Sequence, residues 1–408
     1  MRFSYFPAFG IFLIALSLVV ACQRSETKST APAQPPRVDT GSASGKSNAG
    51  SVTEQQAKVF ADQWVEAVVN GDSRTANELI GWREILTNAV DSFSIKQKTK
   101  TSLIESNLRS ASQISNEISK GLIEGGDYRL VNINQRGGDS FALFRLINSD
   151  ESFNYHLIRL RKVRDRVRGD QFFVAITGEE MADTFRTLFA PAIASMGLAG
   201  KLSGKQKEYN DAMEQLAAMK AAVDSGKLNR ALKIYDQLPE SVKYTKVAMI
   251  QRITATSIEN ERAYQIVVDE FLEAFPGDSA GGMMTLEAGC VRNDPKLIKQ
   301  GYQTLNEWTG GDPYLDLMVG ANLANFGELE QAIQLTNSID PATTGVGSSH
   351  AFKMTIAMEA EDHDETLKQL RALSNVYGYE FSDLRKVPDF AKFVDSPQFE
   401  QWQAETGR

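Results

Sequence analysis

From residue 205 to the end of this 408-residue chain, apolar stripes of helical spacing are interrupted by turns at a nearly constant interval. The turns fall near Gly226, Asn260, Asp294, Gly327 and Glu361, in steps of 34, 34, 33 and 34 residues. Two copies are clearest: GKLNRALKIYDQLP from Gly226 and GELEQAIQLTNSIDP from Gly327. In both, a glycine ends one helix and an apolar residue follows two positions later (Leu228, Leu329). An alanine comes five positions after the glycine (Ala231, Ala332), and a proline closes the second helix (Pro239, Pro341). Glycine takes the left-handed turn that a β-carbon disfavours, and alanine lets two helices approach closely. A hairpin of two short helices cannot bury its apolar stripe alone, so a repeat of this kind calls for stacked neighbours.

The period and these residues resemble the tetratricopeptide repeat family. The resemblance implies an all-α helical solenoid over 205–408, with hairpins near 205–240, 241–276, 277–311, 312–341 and 342–378. Phe390, Phe393, Phe399 and Trp402 are placed to cap its end. The copy at Asn260 keeps an apolar second helix but lacks the glycine, and those at Asp294 and Glu361 are recognisable mainly by spacing. In that family the first helix of each hairpin lines a groove for a protein or peptide partner. Counting back from the turns, the resemblance assigns Lys220, Thr254, Arg292, Tyr314 and Asn325 to such a groove. The family's clamp for a peptide carboxylate, made of paired Lys, Asn and Arg, is not reproduced, so that ligand is not expected.

At the other end, MRFSYFPAFGIFLIALSLVVAC places Arg2 before an apolar run from about Phe9 to Val20. The run suits a signal-peptide core better than a membrane span. Its end, Val19-Val20-Ala21-Cys22, resembles the bacterial lipobox, which implies a signal peptide at 1–21 and lipid attachment to Cys22. A plain secretory signal or an N-terminal anchor is the alternative. Gln23 in place of Asp implies, by the same resemblance, the periplasmic face of the outer membrane. Residues 22–52 are rich in Ser, Thr, Pro, Ala and Gly and hold almost nothing large and apolar, so they read as a disordered tether. Gly45-Lys46-Ser47 lacks the upstream glycine of a phosphate-binding loop, where Thr40 stands instead.

Between tether and repeats, the pattern predicts an α+β domain over 53–200. Helices are expected at 53–70, after Gly71-Asp72-Ser73, and at 98–122. Four antiparallel strands follow: 128–133 and 141–147, joined through Gly137-Gly138-Asp139, then 153–163 and 171–176, with a closing helix at 179–197. The layout resembles the NTF2-like group, whose members include enzymes, ligand binders and structural modules, so the fold assigns no activity. His156, mid-strand, would serve as a catalytic base if it faced a pocket, or else as a packed histidine. The basic run from Arg159 to Arg168 reads as a lipid-headgroup contact or as a solvated edge that discourages strand pairing. A pocket here would support the second functional reading, a small-molecule binder or unrecognised enzyme.

Composition narrows the rest. Net charge is −8, with no broad basic field for nucleic acid. Two cysteines, Cys22 and Cys290, make no disulfide framework. Three histidines lack zinc spacing, and neither a nucleophile elbow nor a dinucleotide-binding turn occurs. The expectation is therefore a protein-interaction scaffold without cofactor, metal or catalytic site. Replacing Cys22 with Ser should release the protein from membranes or leave its signal uncleaved; membrane partition at normal mass in that variant would reject the lipobox reading.

Overall fold

The first described helix starts where the sequence caps it. The Thr53 side chain accepts from the Gln56 N–H while the Gln56 side chain accepts from the Thr53 N–H, a reciprocal capping box. The helix that follows, α1 (Glu54–Val69), buries Ala57, Phe60, Ala61, Trp64, Ala67 and Val68 on one stripe. Gly71, at φ +67°, ends it, and Asp72 caps α2 (Ser73–Leu79). This computed structural model describes residues 52–122, 125–148, 152–196 and 279–407, together with 212–276 apart from 213, 214, 217, 224 and 257–260. Val52, read from sequence as tether, is buried, and its carbonyl accepts from Ser140 at 2.9 Å. Next comes α3 (Trp82–Asp91). The single helix expected at 98–122 is two, α4 (Gln97–Ala111) and α5 (Ile114–Leu122). At the break the Ser112 hydroxyl donates to the Arg109 carbonyl, a local bond that competes with helix continuation.

The sheet is an antiparallel meander in the order β1 (Asp127–Arg136), β2 (Asp139–Ile147), β3 (Phe153–Val163), β4 (Arg166–Val174), β5 (Glu179–Glu180). The short β5 adds to the four strands expected. Gly137 and Gly138 both have positive φ, as the tight β1–β2 turn requires. The β3–β4 turn is Arg164-Asp165, with Arg164 itself at φ +57°, so β4 begins five residues earlier than the pattern predicts. Arg159 and Leu160 pair with both β2 and β4, whereas Arg161–Val163 pair with β4 alone and Arg166–Arg168 with β3 alone, so only the start of the basic run is interior to the sheet. Arg159 donates twice to Asp170, at 2.8 and 3.0 Å, and Arg161 reaches Asp139 at 2.7 Å. One sheet face packs against the first helices: Phe172 lies 6.2 Å, ring to ring, from both Trp64 and Trp82. Gly169 sits where β4 meets the Ile80-Gly81 turn and accepts the Gly81 N–H at 2.7 Å. A β-carbon there would lie 2.5 Å from Ile158 and 2.8 Å from Ile80. Helix α6 (Met181–Met196) follows the sheet.

The remainder is helical. Helical residues between 212 and 223 are followed by α7 (Leu228–Gln237), α8 (Glu240–Lys243), α9 (Lys246–Ala255) and α10 (Glu261–Ala274). Then come α11 (Ser279–Val291), α12 (Pro295–Thr309), α13 (Pro313–Asn325), α14 (Leu329–Thr336), α15 (Gly347–Glu359), α16 (His363–Asn375) and α17 (Pro397–Thr406). Left-handed residues end helices at Gly226, Asn293, Gly327 and Glu361. Asn260 lies outside the described residues. The aromatic residues expected to close the chain, Phe390, Phe393, Phe399 and Trp402, are buried with Met354, Leu367 and Leu370.

The described residues divide into two compact units between Phe275 and Pro276. The boundary read from sequence, at 200–205, lies outside the described residues. The Lys246 ammonium at the start of α9 donates to the Gly178 carbonyl at 3.1 Å, tying a helix of the expected repeats to the strand-bearing unit.

In the 276–408 unit, α11 and α12 touch backbone to backbone. A β-carbon on Gly301 would lie 2.4 Å from the Leu286 nitrogen, and one on Gly289 would lie 2.5 Å from the Ile298 nitrogen. Neither neighbour is a flexible side-chain end, so a helix must shift to make room. Gly301→Ala should therefore destabilise this unit by about 1–3 kcal/mol despite alanine's better helix propensity. An unchanged chemical-denaturation midpoint would contradict the close approach.

Candidate functional site

A cleft of about 570 Å3 opens between α14, α15 and the start of α16. Gly320 of α13 lets two of its walls pack closely: a β-carbon there would lie 2.5 Å from Thr336 and 3.2 Å from Ile356, so α14 and α15 both seat against bare backbone. Ile333, Ile339, Ile356, Ala357 and Ala360 supply an apolar lining, and Ile333 is 40% exposed. The Lys353 ammonium donates to the Thr336 carbonyl at 2.6 Å, closing the C-terminal end of α14. Burial pulls its amine below the ordinary lysine value. Asp340 accepts the Ala342 N–H and Asp362 the Glu365 N–H, so both acids cap helical turns at the cleft mouth. Lys368 pairs with Glu365 at 3.1 Å.

A second cleft, about 700 Å3, lies between α1, α2 and the β3–β4 turn. Gln56, Gln63, Asn70 and Asp72 line one side and Arg166 and Arg168 the other. Arg168 donates to the Glu78 and Ile80 carbonyls, at 2.9 and 3.2 Å, and so is spent on holding α2.

His156 lines neither cleft. It has no exposed surface, and its Nδ1 lies 3.2 Å from the Tyr128 hydroxyl, which also accepts the Trp64 indole N–H at 3.1 Å. The arrangement that serves all three groups has Tyr128 donating to Nδ1 and the ring proton on Nε2, which has no partner. Phe172 lies 5.1 Å away, ring to ring. Burial lowers the imidazole pKa to about 3 and pushes the Tyr128 phenol up. A base sealed among aromatic rings cannot reach a substrate, and the geometry is that of a packing histidine.

The five residues assigned to a groove by family resemblance fall in both compact units. Lys220 and Thr254 belong to one compact unit, and Arg292, Tyr314 and Asn325 to the other. Lys220 is buried at 4% exposure, and Tyr314 at 1%, its ring edge-on to Phe352 at 5.7 Å. Both are corrections: counting back from a turn fixes the turn of helix but not which face is covered. Thr254 is half-buried, its hydroxyl bonded to the Ile250 carbonyl at 3.0 Å, and Arg292 is half-buried just beyond α11. Asn325, at the end of α13, is exposed. Sequence reasoning missed the cleft residues Ile333, Lys353, Ala360 and Glu365. The available signal was Ile333, an isoleucine set among Glu330, Gln331 and Gln334 on an otherwise polar face. Cys290 is half-buried, and burial with nearby Glu287 raises its thiol well above the ordinary value, which disfavours reactivity.

Cys22 and the expected signal and tether lie outside the described residues. Among the described residues no helix is long and apolar enough to cross a membrane, and no group of three or more His, Cys, Asp or Glu is placed to hold a metal ion. Comparison with protein-family models, curated proteins and solved structures gives no match.

The buried histidine sets a pH dependence. Its folded pKa lies below the ordinary 6.5, so its contribution is fully present above about pH 6.5 and is lost as pH falls toward 3. Stability of the strand-bearing unit should fall by up to about 1.4 kcal/mol per pH unit across that window. Urea unfolding of His156→Leu beside the parent chain at pH 7 and at about pH 5 tests this. An equal acid loss in both would assign the effect to other groups.

Proposed function

We propose that this chain is a lipid-anchored protein of the bacterial envelope that holds a protein partner through its helical hairpins. The observation that carries the reading is the apolar-lined cleft of α14–α16, with Ile333 partly exposed at a position where a solvated helix face would place a polar residue. Lys353, Glu365 and Lys368 are already bonded within the fold, which leaves the apolar lining and the carboxylates at its mouth as what it offers. The helix ends at Gly226, Gly327 and Glu361 support a tetratricopeptide-like stack, and the helices packed on an antiparallel meander support an NTF2-like module. The lipobox-like Val19-Val20-Ala21-Cys22 supports the anchor, and Gln23 the periplasmic face of the outer membrane. The scaffold acts by display, without chemistry of its own.

A second reading, a small polar ligand or substrate held by the first module, is favoured by the cleft of about 700 Å3 lined with Gln, Asn and Asp side chains. The two are separated by photocrosslinking in native membranes. A photoreactive residue replacing Ile333 should give a discrete protein adduct that the same residue at exposed Lys58 does not. Identical adduct patterns from both positions would remove the cleft as the working surface.

A further inference from the structure

The chain's charge is unevenly spread. Residues 328–368, which build the α14–α16 cleft, hold eight acids against two lysines, whereas residues 159–168 hold six cations against one acid. In the cleft, Lys353 is turned onto a backbone carbonyl and Lys368 is paired, so Asp340 and Asp362 dominate the mouth. In the basic run, Arg159 and Arg161 are held by Asp139 and Asp170, and Arg168 by two carbonyls. Lys162, Arg164 and Arg166 make no ion pair with a described residue, and Arg164 and Arg166 are exposed at the β3–β4 turn. Between Lys162 and Arg164 stands Val163, 41% exposed, a large hydrophobic residue at the tip of a tight hairpin. The tip therefore presents an apolar side chain flanked by cations, and the cleft presents an apolar lining flanked by carboxylates.

We infer that the β3–β4 tip of one copy docks in the α14–α16 cleft of a second copy, with Val163 against Ile333 and Ile339 and with Lys162, Arg164 and Arg166 facing Asp340 and Asp362. The inference rests on the reading of the cleft as the partner-holding surface and names one occupant for it. The hairpin turn has two residues and its strands pair with each other up to Val163 and Arg166, so the tip needs little ordering to bind. The two surfaces differ, so the contact either is exchanged reciprocally by two copies or runs head to tail into rings or open rows. Anchoring all copies in one membrane would raise their effective concentration and let a modest contact suffice.

The test uses the full chain carrying Cys22→Ser, with sedimentation velocity as readout. Association is expected at low salt and should weaken about tenfold or more on going to about 0.5 M salt. Arg164→Glu with Arg166→Glu should abolish it. Asp340→Asn with Asp362→Asn should weaken it while keeping both helix caps and the melting temperature, since Asn caps as well as Asp. Mixing a Val163→Cys chain with an Ile333→Cys chain should give a disulfide-linked pair that neither gives alone. A monomer at every salt concentration, association that survives both charge variants, or failure of the cysteine pair to link would overturn the inference. So would a hairpin variant that loses binding to phosphatidylglycerol vesicles yet still self-associates, which would assign the tip to lipid. A monomeric chain whose residue-333 crosslink to a membrane protein persists would overturn self-docking and leave the scaffold reading standing.

Discussion

Short helices that cannot stand alone set the terms for this fold. Helix α14 has 8 residues and α7 and α9 have 10 each, below the length at which an isolated helix is stable in water. Each persists only by laying its apolar stripe on a neighbour, which is why the residues at crossings are so small. Ala231 and Ala332 are fully buried, and Gly301 and Gly320 leave no space for a methyl group. The same demand shapes the cleft. Helix α14 contributes Ala332 and Thr336 to the packed side and leaves Ile333, about a hundred degrees round the helix, on the open side.

The strand-bearing unit meets the demand differently. Its sheet is covered by α1, and the join carries a polar thread, Trp64 to Tyr128 to His156, inside an otherwise aromatic layer. Each bond in such a thread adds modestly to stability, whereas a partner removed strands a buried polar group at a cost of about 1–3 kcal/mol. The thread thus fixes how α1 sits on β1 and β3 more than it strengthens the contact. It also accounts for a histidine in mid-strand without any catalytic duty.

Much of the fold was legible in the sequence. Periodicity placed the helices and the meander because apolar spacing reports burial directly, and Gly226, Gly327 and Gly137-Gly138 marked turns because each has positive φ. Asn293 and Glu361 also take left-handed turns without being glycine, so the sequence marked them only by spacing. The basic run was the harder matter. Arg159 and Arg161 read as an edge because charge on a strand usually faces water, whereas Arg159 is paired on both sides and both arginines are compensated by Asp170, which stands at a register shift. The candidate site was the least legible part. Family resemblance pointed to first helices, but Tyr314 and Lys220 are covered and the open surface lies on α14 and the face of α15 turned toward it.

Whole-chain charge conceals the electrostatics that matter here. A net −8 over 408 residues describes a mildly acidic protein, yet most of that excess is concentrated between Glu328 and Lys368, and a compact basic run interrupts it far upstream. Opposite charges within one chain have two ways to be satisfied, by partners within the fold or by partners outside it. For Arg159, Arg161 and Glu365 the fold supplies the partner. For Arg164 and Arg166 it supplies none among the described residues, although Arg164 stands at φ +57° in the turn, where Gly or Asn would be less strained. At the tip three cations stand around a single exposed acid, Asp165, and beside an exposed valine, an excess of positive charge that the fold does not compensate. A contact made beyond the fold would use that excess, which makes the β3–β4 tip, as much as the cleft, a place to look for this protein's partners.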